Sequence, residues 1–250
     1  MAPRLAHVTE GERRRSRQGD WGYAQVAMSE FDQFSDNYHA LLNASVSITG
    51  EAGEYFAAYK AKFVAAKIVP KPDCRILDYG CGVGLVSGQL KKFLPQARID
   101  GYDVSQLSLD RIDPALKAQG TFACNTRDLG GAYDVVVLAN VLHHIEPPDR
   151  QRTISEAAGL LRQNGKLVIF EHNPANPLTR CAVDRCPFDE NAILLPPRET
   201  REYLVCSGLR QILLNYIVFF PRALKWLRPL EGRLGWCPLG AQYAMVGSGT

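Results

Sequence analysis

What this chain lacks narrows its class first. Its seven cysteines include no C-x-x-C pair, so they read as reduced thiols of a cytoplasmic protein. Cys181 and Cys186 lie close together in one loop and leave a zinc pair open. The net charge is only +3, too small an excess to argue for a nucleic-acid partner. The N-terminal stretch is charged and has no apolar core, so no signal peptide is expected. The longest apolar run, 212–220, is interrupted by Asn215 and is far too short to cross a bilayer. No internal repeat is present. What remains is an ordinary globular composition, 46% hydrophobic and 22% charged over 250 residues. That is enough for one well-buried α/β domain and a small appendage.

The chain is organised around residues 75–84. Arg75-Ile76-Leu77-Asp78-Tyr79 is a short apolar run carrying an acid near its end. Gly80, Gly82 and Gly84 follow at alternate positions, and residues 85–90 read as a helix. Strand, glycine turn and helix form the opening unit of a nucleotide-binding α/β fold. A side chain on the turn would hold the backbone away from a ligand lying across it. The spacing is not the glycine-x-glycine-x-x-glycine of dinucleotide binders, which disfavours a nicotinamide oxidoreductase. Asp78 would repel a pyrophosphate and welcome a sulfonium cofactor with a charged amino group.

Around this centre the chain divides into three parts. Residues 1–29 are an arginine-rich arm, read either as a solvated, disordered segment or as an anion contact. Residues 30–69 form a helical cap, with Phe31, Phe34, Tyr38, Leu41 and Leu42 at helical spacing, then Tyr55, Tyr59, Phe63 and Ala66 after Gly50. Residues 70–250 alternate strands and helices. Strands are expected at 75–79, 97–103, 121–125, 133–139, 166–171, 211–219 and 242–246. Helices are expected at 84–94, 105–118, 149–162 (stopping at Asn164-Gly165) and 197–207. The predicted fold is a doubly wound, Rossmann-like seven-stranded sheet, mostly parallel with the last strand antiparallel.

Asp78-Tyr79-Gly80-Cys81-Gly82-Val83-Gly84 resembles motif I of the class I S-adenosylmethionine-dependent methyltransferases. Ala139-Asn140-Val141-Leu142-His143-His144-Ile145 is similar to the matching segment of the small-molecule branch, including the methyltransferases of quinone biosynthesis. The resemblance covers about residues 70–170 and implies S-adenosylmethionine as cofactor. It implies cofactor contacts at Asp78, Gly80, Cys81, Gly82 and Gly84, at Asp103 and Val104, at Asn125 and Thr126, and at Ala139. Tyr38 and Tyr55 are expected in a lid. Asp103, after the second strand, has the carboxylate geometry to accept both ribose hydroxyls; the local alternative is a helix cap ahead of Ser105. Asn125 stands where relatives carry an acid near the adenine amino group. The Asn-Pro-Pro-aromatic tetrapeptide of enzymes that methylate bases or protein amino groups is absent, which again argues against nucleic acid.

A small-molecule acceptor is therefore expected, methylated on a hydroxyl of a sugar, phenol, quinone-like or lipid-linked compound. His172, after the fifth strand, leads as general base, with Glu171 to orient it. His143 and His144 are alternatives, of which at most one faces the cofactor. The loop 173–196 is long enough to build the acceptor pocket. On a helical wheel, 219–230 gathers Phe219, Phe220, Leu224, Trp226, Leu227 and Leu230 on one arc and Arg222, Lys225 and Arg228 on the other. Such a face suits the protein core, a partner subunit in a homodimer, or a peripheral membrane contact. A catalytically inactive cofactor-binding scaffold remains the rival to an enzyme.

Overall fold

The computed structural model describes residues 43–249 apart from Ser45 and Pro70. The basic arm, the first cap helix and Tyr38 lie outside the described residues.

Helix α1 (Gly53–Lys67) precedes the sheet. Strand β1 (Arg75–Tyr79) leads through the glycine turn into α2 (Leu85–Phe93), and β2 (Arg98–Tyr102) follows. The expected 105–118 helix is two short ones, α3 (Gln106–Asp110) and α4 (Pro114–Lys117). The break has a local cause: Pro114 keeps Asp113 out of the helical region, and the Asp113 side chain caps α4 instead. Next come β3 (Phe122–Ala123), β4 (Tyr133–Ala139), α5 (Pro147–Gly159) and β5 (Leu161–His172).

Here the expected helix stop is corrected. Asn164-Gly165 lies inside β5, where Asn164 takes φ 60° and the β4 pairing slips between Tyr133 and Val135. A Cβ on Gly165 would sit 2.8 Å from the Tyr133 carbonyl oxygen, so this glycine serves a close strand approach. Helices α6 (Pro177–Val183) and α7 (Pro197–Cys206) lead to β6 (Arg210–Ile217) and β7 (Gln242–Ser248).

The sheet order is β3-β2-β1-β4-β5-β7-β6, with β7 antiparallel to both neighbours. Both faces are covered, which is why β4 reads as an unbroken apolar run. Ile76, Val135, Val137, Val168 and Phe170 pack with α1 and α2 on one face. Leu77, Val136, Leu138, Leu167 and Ile169 pack with Ile154 and Leu204 on the other. Strand order reverses between β1 and β4, and that reversal opens a crevice outside their carboxyl ends.

Residues 219–230 are not the amphipathic α-helix of the wheel. Arg222–Arg233 is a strap of 3₁₀ turns, kinked at Leu224 and containing Pro229, which has no amide hydrogen to continue a helix. Three residues per turn dissolve a face drawn at 3.6. Leu224, Trp226 and Leu230 are exposed, as are Arg222 and Lys225, but Arg228 turns inward. It meets Glu51 at 2.7 Å and covers the Tyr55 ring at 4.3 Å. The buried Glu231 carboxylate accepts from the amides of Phe219 and Phe220, each at 3.0 Å. The strap is thereby tied to α1, on the rim of the crevice.

Candidate active site

The glycine turn is pinned first. The amides of Gly80 and Cys81 both donate to the Tyr102 carbonyl, at 2.7 and 2.9 Å. Gly80 has φ 80°, and a Cβ there would meet Val141 at 2.5 Å. Gly82 has φ 52° with nothing within 4 Å of where its Cβ would stand; it faces the cavity. Gly84 has φ 80° and leans on Ile112 away from the cavity, so its role is to start α2.

Asp103 binds the same turn. Its Oδ2 accepts from Gly82 N at 2.7 Å and its Oδ1 from Ser105 N at 2.9 Å. The cap of α3 is Ser105 itself, whose hydroxyl accepts from Ser108 N. Asp103 therefore turns to the cavity beside Val104, and a carboxylate oxygen that accepts one bond can accept another. Asp78 is buried with one oxygen, Oδ2, on the Ser87 hydroxyl at 2.6 Å; its Oδ1 has no partner. A buried carboxylate oxygen without a donor is costly, and this one borders the cavity. Burial, partly offset by the Ser87 hydrogen bond, pushes its pKa up to about 6.

These residues fit S-adenosylmethionine: Asp78 Oδ1 for the amino group, open space at Gly82 for the backbone approach, Asp103 for the ribose. Cys81, Val104 and Ala139 also line the cavity. Asn125 and Thr126 do not. Asn125 Oδ1 caps its own turn by accepting from Arg127 N, and the Thr126 hydroxyl donates to Glu156 at 2.6 Å. Glu156 reaches the cavity instead.

The cavity, about 830 Å³, continues past this cradle to the ends of β4 and β5. Asn140, in the left-handed region at φ 61°, connects two groups there. Its amide nitrogen donates to His172 Nε2 at 2.7 Å, and its oxygen accepts from Lys60 Nζ. Glu171 is fully buried behind the wall, not in it; it accepts from Leu142 N at 2.7 Å and holds His143 Nδ1 at 2.6 Å. His143, His144 and His172 lie together, with His143 ring centroids 4.1 and 5.0 Å from the other two. Asp189 faces them, 3.5 Å from His143 Nε2 and 3.4 Å from His144 Nε2.

The expectation that a histidine here titrates near neutrality meets an obstacle. Burial pulls His143 down, but the charge of Glu171 and hydrogen bonds to Asp189 and Glu171 outweigh it, raising the pKa to about 9. Burial and the His143 charge push His144 down to about 4 and His172 to about 3. The groups closest to neutrality are Asp78 and Lys60, the latter lowered by burial to about 8 against the pull of Glu171 and Asp78.

Lys60 and Gln242 take no role from the sequence; Asn140 is named there only within the segment 139–145, and Asp189 only among the charged residues of the loop 173–196. Lys60 did leave a trace: it shares the i, i+3, i+4 stripe of Ala57, Ala61 and Val64, all buried.

Residues 77–167 match the family model described as a methyltransferase domain. With the cradle above, that match decides what this segment is. Residues 77–167 form a methyltransferase domain of the class I, S-adenosylmethionine-dependent kind.

Similar proteins agree with it. The demethylmenaquinone methyltransferase of Thermotoga maritima is 29% identical over 154 residues, 60% of this chain and 63% of that one. The malonyl-[acyl-carrier protein] O-methyltransferase of Halalkalibacterium halodurans is 30% identical over 108 residues, 40% of this chain and 39% of that one. The chain thus spans about three-fifths of the first relative's length and less of the second's. Magnesium protoporphyrin IX methyltransferase from Synechocystis, solved with bound S-adenosylhomocysteine, superposes with TM-score 0.61 at 15% identity, covering 90% of this chain and 99% of that one. The [4+2]-cyclase SpnF superposes with TM-score 0.62 at 17% identity over 89% and 95%. At such identities the structural likeness speaks for the methyltransferase fold alone. Among the described residues, no helix is long and apolar enough to cross a membrane.

Proposed function

We propose that the protein transfers a methyl group from S-adenosylmethionine to a hydroxyl oxygen of a small-molecule acceptor. The observation that carries this is continuity. One cavity joins the unpartnered Asp78 Oδ1, the space at Gly82 and Asp103 to Lys60, Asn140 and the histidines. The cofactor, when bound, supplies an activated methyl group on sulfonium sulfur. The chain must therefore hold the acceptor oxygen in line and take up its proton.

Asp103 accepts the ribose hydroxyls and Asp78 the ammonium group. Lys60 takes the acceptor's proton, because its pKa of about 8 leaves a neutral fraction near physiological pH. His172 and Asn140 are positioning residues: the pair fixes the Lys60 amine through the Asn140 oxygen. This moves the base from His172, whose Nε2 is occupied by Asn140, to the lysine bonded to the same asparagine.

The acceptor side is mostly apolar, with Leu178, Val183, Phe219 and Phe220, yet it offers two buried polar atoms without partners, Tyr55 Oη and Gln242 Oε1. That pairing suits a phenol- or hydroquinone-like acceptor with more than one oxygen. The O-methyltransferase and demethylmenaquinone relatives support oxygen and a quinone-like ring respectively. Exposed Trp226, Arg222 and Lys225 on the strap that begins at the cavity's Phe219–Pro221 edge, with exposed Trp236 just after the strap, favour an acceptor presented from an anionic lipid surface.

Calorimetry with S-adenosylhomocysteine, followed by transfer of labelled methyl to a panel of phenols and hydroquinones, tests the reading. Binding and label on oxygen are expected. Binding without transfer to any acceptor would favour a scaffold; absence of binding would remove the whole proposal.

A further inference from the structure

We propose that His143, His144 and Asp189 form a binding site for one divalent transition-metal ion at the acceptor end of the cavity. Their three ligand atoms lie within 4.8 Å of one another. The two histidine Nε2 atoms stand 3.5 and 3.4 Å from the same Asp189 Oδ1. Those separations exceed the usual range of about 2.7–3.2 Å for an N–H···O hydrogen bond, so the His143–Asp189 hydrogen bond is a weak one that an ion can replace. They match the edges of a coordination polyhedron: ligands about 2.1 Å from a tetrahedral or octahedral ion lie roughly 3.0–3.4 Å apart.

The support behind the site points the same way. Glu171 Oε2 takes the Nδ1 proton of His143 at 2.6 Å, and its Oε1 is held by Leu142 N at 2.7 Å. Once an ion displaces the Nε2 proton, this holds the remaining proton on Nδ1 and leaves Nε2 to the metal, the arrangement by which a carboxylate orients a metal-binding histidine. It also gives a reason for a carboxylate to be buried fully behind the cavity wall. His143 and His144 come from the turn Leu142–His144 after β4, and Asp189 from the turn Pro187–Asp189 of the long insert. All three face the cavity, so an ion bound there keeps open positions, as catalytic sites do and structural ones do not. Two imidazoles and one carboxylate suit zinc, manganese, iron or cobalt ahead of magnesium or calcium. No cysteine belongs to the cluster, so Cys181 and Cys186 are not needed.

Such an ion would coordinate the acceptor oxygen and favour its deprotonated form. That use rests on the methyl-transfer reading; metal binding itself does not.

The test uses the full chain, freed of metal with a chelator and titrated with Co²⁺ and Zn²⁺. One ion per chain is expected, with visible cobalt absorption of a site containing imidazole. His144→Ala and Asp189→Asn should each weaken binding at least tenfold, and Glu171→Gln about 10- to 100-fold. The paired Cys181→Ser, Cys186→Ser variant should bind as the parent does. S-adenosylhomocysteine affinity, measured in parallel, should be unchanged in His144→Ala and Asp189→Asn, showing that they fold. Failure to bind either ion, or binding indifferent to these substitutions or lost in the cysteine variant, overturns the site. Metal binding without methyl transfer would leave the site standing and remove its assigned use.

Discussion

Asp78 is where the fold bears a cost that the proposed ammonium contact would relieve. Burial raises its pKa from 3.8 to about 6, so the native state holds this proton more tightly than the unfolded chain does. The ionised carboxylate therefore costs stability above pH 6, and that cost fades as pH falls toward 3.8. Asp78→Asn should stabilise the ligand-free protein by about 1–2 kcal/mol at pH 7, read as a higher melting temperature. It should weaken S-adenosylhomocysteine binding by at least tenfold. In the parent, affinity should drop as pH is lowered through about 6, because only the carboxylate accepts the ammonium group; a flat profile would contradict this role. Lys60 carries the opposite sign. Its pKa falls from 10.5 to about 8 on burial, so turnover should rise with pH through about 8 as the amine loses its proton. Lys60→Met should abolish that rise and lower turnover by a factor of about 10²–10⁴, with cofactor affinity kept.

At the scale of elements, the glycine turn and the strap make separable predictions. Gly82→Ala meets no protein atom, so the fold should survive at a strain of about 1–3 kcal/mol for positive φ. Cofactor affinity should nonetheless collapse, because the new methyl occupies the ligand's place. Gly80→Ala instead meets Val141 at 2.5 Å and should lose stability and binding together. The strap is held by Arg228 through Glu51 and Tyr55. Arg228→Ala should cost about 1–3 kcal/mol and raise protease cleavage within 222–233. It should raise the acceptor KM while sparing S-adenosylhomocysteine affinity; unchanged proteolysis would show that the strap is held otherwise. The same elements show why part of the pattern misled. The wheel over 219–230 assumed 3.6 residues per turn and met a strap with three. The stop at Asn164-Gly165 was sound turn chemistry, used here by a strand bulge.

For the whole molecule, the sheet order brings β1, β2, β4 and β5 to one edge, and the groups assigned to the cofactor or acceptor stand there, on the covering helix and insert, at the start of β7, or where the chain enters the strap. Vesicles containing anionic phospholipid should sediment the parent and not a variant with Trp226→Ala on the strap and Trp236→Ala just after it; equal sedimentation would dismiss the surface. The proposed cofactor cradle was legible in the chain, apart from Asn125 and Thr126, because it is built from contiguous motifs whose glycine spacing and strand-end acids are local facts. The strand alternation and the glycine turn needed no tertiary information for the same reason. Which groups meet the acceptor was decided only by folding. Lys60 comes from a helix before the sheet, Asp189 from an insert after it, and Gln242 from the last strand. Their burial beside one another, which moves the histidines away from neutrality and Lys60 toward it, depends on distances between segments far apart in sequence, which no local pattern records.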